Sequence, residues 1–191
     1  QVTLTSVSDT VANITSIDGL TTTEVTMAGA TVSITDAGVT KAQLDTVNGF
    51  TTGTVTALTV TEDRADLATL NGTTGISLAT TNITVTDAVS LSQAQTINGY
   101  TTGTVTLNSV SDTVSNLATL AAIDNAEVTI AGAAISVSDA ASLANANTIN
   151  AYTTGTVTLT SASDTVSNLA TLAAIDNAEV TIAGAAISVS D

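Results

Sequence analysis

One acidic residue recurs at nearly regular intervals along the chain, and its carboxylate is the group best suited to do chemistry. The successive separations are 27, 27, 24, 25, 27 and 25 residues. A carboxylate that follows a strand-like run can accept hydrogen bonds from the free N–H groups at the start of a helix, or it can bind a hard cation. The sequence leaves both interpretations open, helix N-capping and cation bridging. The residues are Asp9, Asp36, Asp63, Asp87, Asp112, Asp139 and Asp164.

A stack of repeats would place these carboxylates in a row along one edge, about 4.8 Å apart. Like charges at that distance repel unless a cation or several N–H donors compensate them. We predict a tentative metal site along this row, with calcium as the candidate ion, because every available ligand is an oxygen. No cofactor is predicted to be required. A second acidic row is interpreted as exposed, solubilising charge: Glu24, Glu127 and Glu179.

Pairs of Thr residues in a Thr-x-Thr pattern suggest an ice-binding or saccharide-binding face by their regular spacing. Thr is also favoured on any exposed strand face, and alternate repeats carry Glu127 or Glu179 in the corresponding row, which would interrupt a flat array. Stabilisation of the strand ladder is the preferred interpretation. The pairs are Thr54 and Thr56, Thr104 and Thr106, and Thr156 and Thr158.

An aromatic residue occurs only in every second repeat, as Phe50, Tyr100 and Tyr152. A row of rings can stack on sugars, but a large ring in alternate layers beside Ala-rich layers would also fill a core efficiently. We predict that these rings lie in the core.

The residue types do not support catalysis. The chain has no His and no Cys, and Lys41 is its only lysine. A serine nucleophile needs a base and an oxyanion hole, and a uniform row of carboxylates offers no pair with divergent pKa values. We predict that the protein is not an enzyme.

The charge balance excludes other classes of partner. There are 17 acidic side chains and two basic ones, which gives a net charge of −15. Nucleic acid is excluded because no cationic patch is available to neutralise phosphates.

No stretch approaches the length of about 18 apolar residues, so membrane insertion is not expected. No basic leader precedes Gln1, so we expect a removed leader or a start inside a longer protein.

The sequence matches itself at an offset of 52 residues, because residues 104–139 recur as residues 156–191 with only two changes. Inside this supra-repeat lies a weaker repeat of 24–27 residues, marked by the recurring aspartate. About seven such coils are present. A period of 20 to 50 residues is the signature of a solenoid or a related array.

Each coil is predicted to contain one short helix and two short strands. Apolar residues at three-residue spacing, such as Val114, Leu117, Leu120 and Ile123, form a stripe that suits only a short helix. The β-branched runs that follow alternate between inward Val or Ile and outward Thr or Ser. Gly or Asn after the helix predicts a left-handed C-cap. These ends are Asp18-Gly19, Asn48-Gly49, Asn71-Gly72, Asn98-Gly99 and Asp124-Asn125.

The predicted fold class is therefore an α/β solenoid. We expect equivalent strands of successive coils to pair in parallel, with each helix acting as the crossover. Residues 1–191 should form a single continuous solenoid segment. Because neither end shows a capping coil, the segment is expected to be a fragment of a longer array or the protomer of a filament.

Two stretches carry a resemblance to known proteins. Residues 110–117 and 7–14 resemble the V-S-D-T-x-x-N-[LI] repeats of giant, acidic, Cys-free secreted surface proteins of Gram-negative and marine bacteria. The resemblance covers the whole chain and implies a secreted or cell-surface location. The chain lacks the Gly-Gly-x-Gly-x-Asp nonapeptide of the calcium-binding repeats in such proteins, so calcium loading by that motif is not implied.

The expected function is a structural extracellular repeat segment, part of a surface fibre, filament or adhesin stalk, that builds an elongated rod. Its expected partners are copies of itself end to end or flanking repeats, and a cell-surface polysaccharide is a further candidate. The alternative is a binding module whose repeated face holds calcium, polysaccharide or ice.

Overall fold

The computed structural model of the chain describes residues 1–20, 24–123, 127–175, 179–182 and 184–190. They fall into two compact units, Gln1–Thr84 with Ile97–Val105, and Val85–Thr96 with Thr106–Asp191. Within the described residues there are seven helices, and every strand pairing described below is parallel. The mixed α/β class is confirmed. A single continuous segment over residues 1–191 stays a prediction.

The elements alternate regularly along the chain. The first ten are β1 (Val2–Thr3), β2 (Ser6–Asp9), α1 (Val11–Asp18), β3 (Val25–Thr26), β4 (Thr31–Ile34), α2 (Lys41–Asn48), β5 (Val55–Ala57), β6 (Thr59–Glu62), α3 (Arg64–Gly72) and β7 (Ile76–Ser77). The others are β8 (Asn82–Val89), α4 (Leu91–Asn98), β9 (Val105–Asp112), α5 (Val114–Ile123), β10 (Val128–Thr129), β11 (Ala134–Ala141), α6 (Leu143–Asn150), β12 (Val157–Asp164), α7 (Val166–Ala174), β13 (Val180–Thr181) and β14 (Ala186–Val189).

The helices are eight to ten residues long, and each buries only one or two apolar side chains. In α5 these are Leu117 and Leu120, which are fully buried, as the three-residue spacing predicts. Isolated helices of this length are marginal in water, so packing on the strands must hold them in place. The predicted helix stripe is confirmed at these two positions, whereas Val114 and Ile123 are only half-buried.

The predicted left-handed C-caps are wrong at the positions where the structure describes them. Gly19 and Gly49 follow α1 and α2 with φ of −70° and −68°, in the right-handed region. Their N–H groups bond to carbonyls of the last helical turn, so the chain leaves the helix without a left-handed residue. Positive φ occurs instead at Gly38, Gly75 and Gly184. The end predicted at Asp124-Asn125 lies outside the described residues.

In the first unit, strands β2, β4, β5 and β7 form a parallel sheet in that order. The register places Val7 beside Val32, Val32 beside Val55, and Val55 beside Ile76. The valines are buried, whereas the neighbouring Ser and Thr positions mostly point outward. The predicted alternation along the strands is confirmed here.

The second unit shows that pairing between coils is staggered. Val157 in β12 pairs with Ile135 in β11 on one side and with Val180 in β13 on the other. The second half of β12 pairs with β14, and a register shift after Val137 separates the two halves of the β11 pairing. The eight-residue β12 therefore spans the width that two short strands occupy in the next coil. The predictions of two short strands in every coil and of pairing between equivalent strands need this correction.

The core is aliphatic rather than aromatic. Leu, Ile, Val and Ala fill the buried positions, while Phe50, Tyr100 and Tyr152 are only half-buried. Each ring directly follows the turn that ends a helix, at the margin of its coil, and the predicted core position is wrong. No helix among the described residues is both long and apolar enough to span a membrane.

Candidate functional site

The recurring aspartates lie at helix starts, but the N-cap itself is the Thr or Ser that follows. Thr10 caps α1 by accepting from the N–H of Asn13 at 3.3 Å, and Thr165 caps α7 by accepting from the N–H of Asn168 at 3.3 Å. Only Asp63 is an N-cap, since its carboxylate accepts from the N–H of Asp66 at 2.8 Å. The N-cap assignment is corrected for Asp9, Asp36, Asp87, Asp112, Asp139 and Asp164.

Four of these carboxylates instead cap the helix of the preceding coil. Asp36 accepts from the N–H of Val11, the first residue of α1, at 2.6 Å, although 25 residues separate them. The first N–H of a helix has no partner inside the helix and lies at the positive end of its dipole, so an incoming carboxylate satisfies it well. Three further pairs repeat this contact at 2.8 to 3.0 Å: Asp139 with Val114, Asp112 with Leu91, and Asp164 with Leu143.

The second oxygen of the carboxylate holds the start of its own coil. In Asp112, Oδ1 accepts from the N–H of Thr113 and from the side-chain amide of Asn116, both at 2.8 Å. The same two bonds form at Asp9, with Thr10 and Asn13, and at Asp164, with Thr165 and Asn168. Together these contacts explain the Asp, Thr and Asn positions of the S-D-T-V-x-N motif. We call this arrangement the aspartate bracket.

Hydrogen bonds lower the pKa of the bracket carboxyls. For Asp9 and Asp164 the largest cause is the bond from the Asn side chain four residues on, followed by backbone N–H groups. Burial by itself raises the pKa of Asp112, but three hydrogen bonds outweigh it, and the net shift is downward. These carboxylates remain ionised well into the acidic range.

A glutamate takes the bracket role in one coil, which sequence reasoning missed. Glu62 accepts from the N–H of Lys41, the first residue of α2. The side chain of Lys41 pairs with Asp45 at 2.6 Å, and this bond is the main reason that the pKa of Lys41 lies above its ordinary value. An ion pair at this surface position contributes little stability. The sequence feature that could have identified Glu62 is its position immediately before Asp63, the N-cap of α3.

Cation binding by the aspartate row stays a prediction. Among the described residues, no group of three or more acidic side chains comes together in a way that would hold a metal ion. Hydrogen bonds compensate the negative charge of Asp112 and Asp164, because both oxygens of each carboxylate accept a hydrogen bond from a backbone N–H group. Asp87 lies within β8, near the C-terminal end of that strand.

A second repeated arrangement was not predicted at all. Thr51 is buried, and its hydroxyl donates to the carbonyl of Ala30 in the preceding coil at 2.6 Å while accepting from the N–H of Gly53 at 2.9 Å. Thr52 then donates both its N–H and its hydroxyl to the carbonyl of Ala28, at 2.7 and 2.9 Å. Three hydrogen bonds thus join two successive coils.

The same geometry recurs wherever Thr-Thr-Gly-Thr-Val occurs, and we call its Thr-Thr-Gly residues, 51–53, 101–103 and 153–155, the TTG turns. The Thr-Thr-Gly of residues 73–75 is not one of them, since Gly75 has a positive φ. The buried hydroxyls of Thr101 and Thr153 donate to the carbonyls of Thr81 and Ala133 at 2.6 Å. A Cβ on the glycine of any TTG turn would lie closer than 3.0 Å to the carbonyl of the coil beneath. Glycine is required by this close approach, since its φ is not positive. The signal in the sequence was the exact recurrence of the pentapeptide Thr-Thr-Gly-Thr-Val.

The Thr-x-Thr pairs lie on strand faces, as expected, and one of them borders a cavity. An open groove of about 320 Å³ in the first unit is lined by outward hydroxyls of β2, β4 and the start of β5, over the floor that Val7 and Val32 form. Thr54 and Thr56 belong to this lining. The second acidic row is exposed, at Glu24, Glu127 and Glu179. Ligand binding at these faces stays a prediction.

Comparison with known proteins found no matching family model, no matching curated protein and no matching solved structure. The resemblance to giant secreted repeat proteins remains a prediction from the V-S-D-T-x-x-N pattern.

Proposed function

We propose that the chain is a structural repeat segment of an extracellular protein, an α/β solenoid that serves in a surface fibre, a filament or an adhesin stalk. One observation carries the proposal. Recurring Asp and Thr side chains form hydrogen bonds between successive coils, through the aspartate bracket and the TTG turns.

A protein built this way gains length without new design. Each coil contacts its neighbours through the same bonds, so its stability is approximately a sum of coil and interface contributions. The duplication of residues 104–139 as 156–191 supports this description, because an added repeat can form the same hydrogen bonds with its neighbours. A secreted or cell-surface location is supported by the resemblance and by the net charge of −15, which favours solubility.

The test is a length series. Variants that carry one or two further copies of residues 105–156 should each gain about 10 Å in maximum dimension by small-angle X-ray scattering, since one supra-repeat adds two strand spacings. Their free energy of unfolding should rise by similar steps. Growth of the radius with the cube root of the mass would contradict the solenoid and the proposed role.

Calcium separates this role from the alternative of a binding module. Because N–H donors already compensate the bracket carboxylates, we expect the same unfolding temperature in about 10 mM calcium, in magnesium and in chelator. A calcium site occupied at 100 times its Kd would add about 2.7 kcal/mol to the free energy of unfolding. A stabilisation of that size, lost on replacing Asp112 and Asp139 by Asn, would favour the binding module instead.

A further inference from the structure

Three Asn-Gly pairs occur in the chain, and the structure places them in two different settings. Asn48 and Asn98 are the last residues of α2 and α4, and a TTG turn begins two residues after the glycine of each pair. Asn71-Gly72 forms the last two residues of α3, and the C-cap that follows is extended. None of the three glycines has a positive φ, so left-handed capping does not explain why glycine stands at these positions.

An Asn-Gly pair can react with itself. The backbone nitrogen of the glycine, once it has lost its proton to hydroxide, attacks Cγ of the asparagine. The new N–Cγ bond closes a succinimide ring, the Cγ–Nδ2 bond breaks, and the side-chain nitrogen leaves as ammonia with a proton taken from water. Water then opens the ring at either carbonyl, and the product is aspartate or isoaspartate. Glycine favours the reaction because it has no Cβ to shield its nitrogen.

Both reacting groups of the Asn48 pair are held by hydrogen bonds. The Nδ2 of Asn48 donates to the carbonyl of Thr74 in the next coil at 3.1 Å, and its Oδ1 lies so close to Gly75 that a Cβ there would overlap it. The N–H of Gly49 donates to carbonyls of the last helical turn. These bonds must break before the ring can close. The side chain of Asn98 is not treated as free either, because this residue also takes part in an interaction.

The chain that follows these two helices is fixed as well. Two residues after Gly49, the buried hydroxyl of Thr51 donates to the preceding coil at 2.6 Å. The buried hydroxyl of Thr101 forms the same bond at the same distance after Gly99. Each of the two pairs therefore lies between a buried helical residue and a turn that is bonded to the neighbouring coil. Local opening of either helix end would break bonds between coils.

Asn71 lies at a helix end that lacks these restraints. Its side chain is exposed and forms no hydrogen bond with any described group. Gly72 is exposed too, and a Cβ on it would meet nothing within 4 Å, so water has access to its nitrogen. The last buried residue of α3 is Leu70, and the bonds that Thr73 donates run back to α3 itself. Opening of the last two helical residues therefore breaks no bond between coils.

We infer that Asn71 is a site of spontaneous deamidation, with water as the co-reactant, and that contacts between coils protect Asn48 and Asn98 from the same reaction. The product places a new carboxylate at the C-terminal end of α3, where the helix dipole is already negative. Isoaspartate also adds one carbon to the backbone between α3 and β7. The end of α3 is therefore weakened as the protein ages. The inference goes beyond the proposed structural role and does not depend on it.

Mass spectrometry with electron-transfer fragmentation tests the inference, because it locates each conversion and distinguishes isoaspartate from aspartate. The full chain is incubated at mildly alkaline pH, both folded and in guanidinium chloride, and the folded rate at each Asn-Gly pair is divided by its unfolded rate. We expect this ratio to be about tenfold higher at Asn71 than at Asn48 and Asn98, a difference of about 1.4 kcal/mol in the barrier. Equal ratios at the three pairs, or a lower ratio at Asn71, would overturn the inference.

Two variants separate the chemistry from the protection. Gly72→Ala has room for its Cβ and should slow conversion at Asn71 about tenfold, since the methyl group shields the attacking nitrogen. Thr51→Val removes a bond that fixes the chain after α2, so it should accelerate conversion at Asn48 and leave Asn71 at the parent rate. Circular dichroism verifies that both variants fold. An unchanged rate at Asn71 in Gly72→Ala, or at Asn48 in Thr51→Val, would contradict the inference.

Discussion

At the scale of single residues, the protein uses polar groups as connectors between coils. Thr153 is representative, because one buried hydroxyl donates to Ala133 and accepts from Gly155. Asp112 does the same with a carboxylate that reaches Leu91 in the preceding coil. Buried or half-buried polar groups of this kind stabilise a structure only while every partner is present.

Replacing the buried hydroxyl should therefore be costly. Thr153→Val keeps the shape of the side chain but leaves the carbonyl of Ala133 and the N–H of Gly155 without their bonds, and we expect a loss of about 1 to 3 kcal/mol in the free energy of unfolding. Urea denaturation measures it. Thr154→Val is the matched control, since its exposed hydroxyl can be replaced by water, and its effect should stay within about 0.5 kcal/mol. Equal losses in the two variants would show that the buried hydrogen bond contributes no more to the free energy of unfolding than the exposed one.

The aspartate bracket predicts a pH dependence. The pKa of Asp112 is lowered by folding, so the stability that this carboxylate contributes is fully present above its unfolded pKa of about 3.9. That contribution is lost as the pH falls through the lower, folded pKa. Unfolding free energy should thus be flat near neutral pH and decline in acid.

The source of the shift can be assigned by NMR titration. Asn116→Ala removes one donor and should raise the pKa of Asp112 toward its ordinary value, while leaving that of Asp164 unchanged. Asn168→Ala should do the reverse. A variant that shifts both carboxyls, or neither, would show that the local amide is not the cause.

At the scale of elements, close approach between backbones decides which residues are tolerated. The TTG turn lies so near the coil beneath that a Cβ at Gly53 would overlap the carbonyl of Ala30. At Gly29, in the neighbouring turn, a Cβ would meet nothing within 4 Å. The two glycines therefore have different reasons to be present, although both lie in turns.

This difference predicts opposite outcomes for the same substitution. Gly53→Ala should destabilise the first unit by about 1 to 3 kcal/mol, the usual cost of overpacking. Gly29→Ala should be neutral or slightly stabilising, because alanine lowers the entropy of the unfolded chain. Thermal unfolding of both proteins is the measurement. A destabilisation at Gly29 that matched the one at Gly53 would mean that glycine matters for flexibility and not for clearance.

At the scale of the whole molecule, contacts that reach only the adjacent coil imply that a destabilising substitution affects mainly the coils next to it. Every bracket and TTG bond that runs between coils joins residues 20 to 25 positions apart. In the proposed solenoid each coil would depend on its neighbours and only indirectly on distant ones.

Hydrogen exchange should reveal this locality. Thr153→Val is expected to lower the protection of amides in the coils that contain residues 130–164, while amides of residues 1–60 keep their parent rates. Thr51→Val should give the reciprocal map. Uniform loss of protection along the chain in either variant would indicate one cooperative unit and would contradict the nearest-neighbour description.

The sequence by itself determined the period, the class and the orientation of most side chains. The recurrence of residues 104–139 fixed the 52-residue supra-repeat, and the alternation in runs such as residues 134–137 fixed which side chains face inward, because both properties are local. Helix existence was also predictable from the spacing of Leu117 and Leu120. Caps were placed one residue early at Asp9, Asp112 and Asp164, where Asp and Thr, both good N-caps, stand side by side. After Asp36, Asp87 and Asp139 the capping Thr or Ser comes three or four residues later.

Only the tertiary structure decided which groups meet. The carboxylate of Asp36 reaches Val11, and the hydroxyl of Thr51 reaches Ala30, because stacking brings together residues one coil apart in a staggered register. That stagger arises because β12 spans both halves of the adjacent coil, and no local pattern encodes it. Tyr152 is half-buried for the same reason. Its ring lies at the margin of a coil, and that margin is defined only when coils pack on one another.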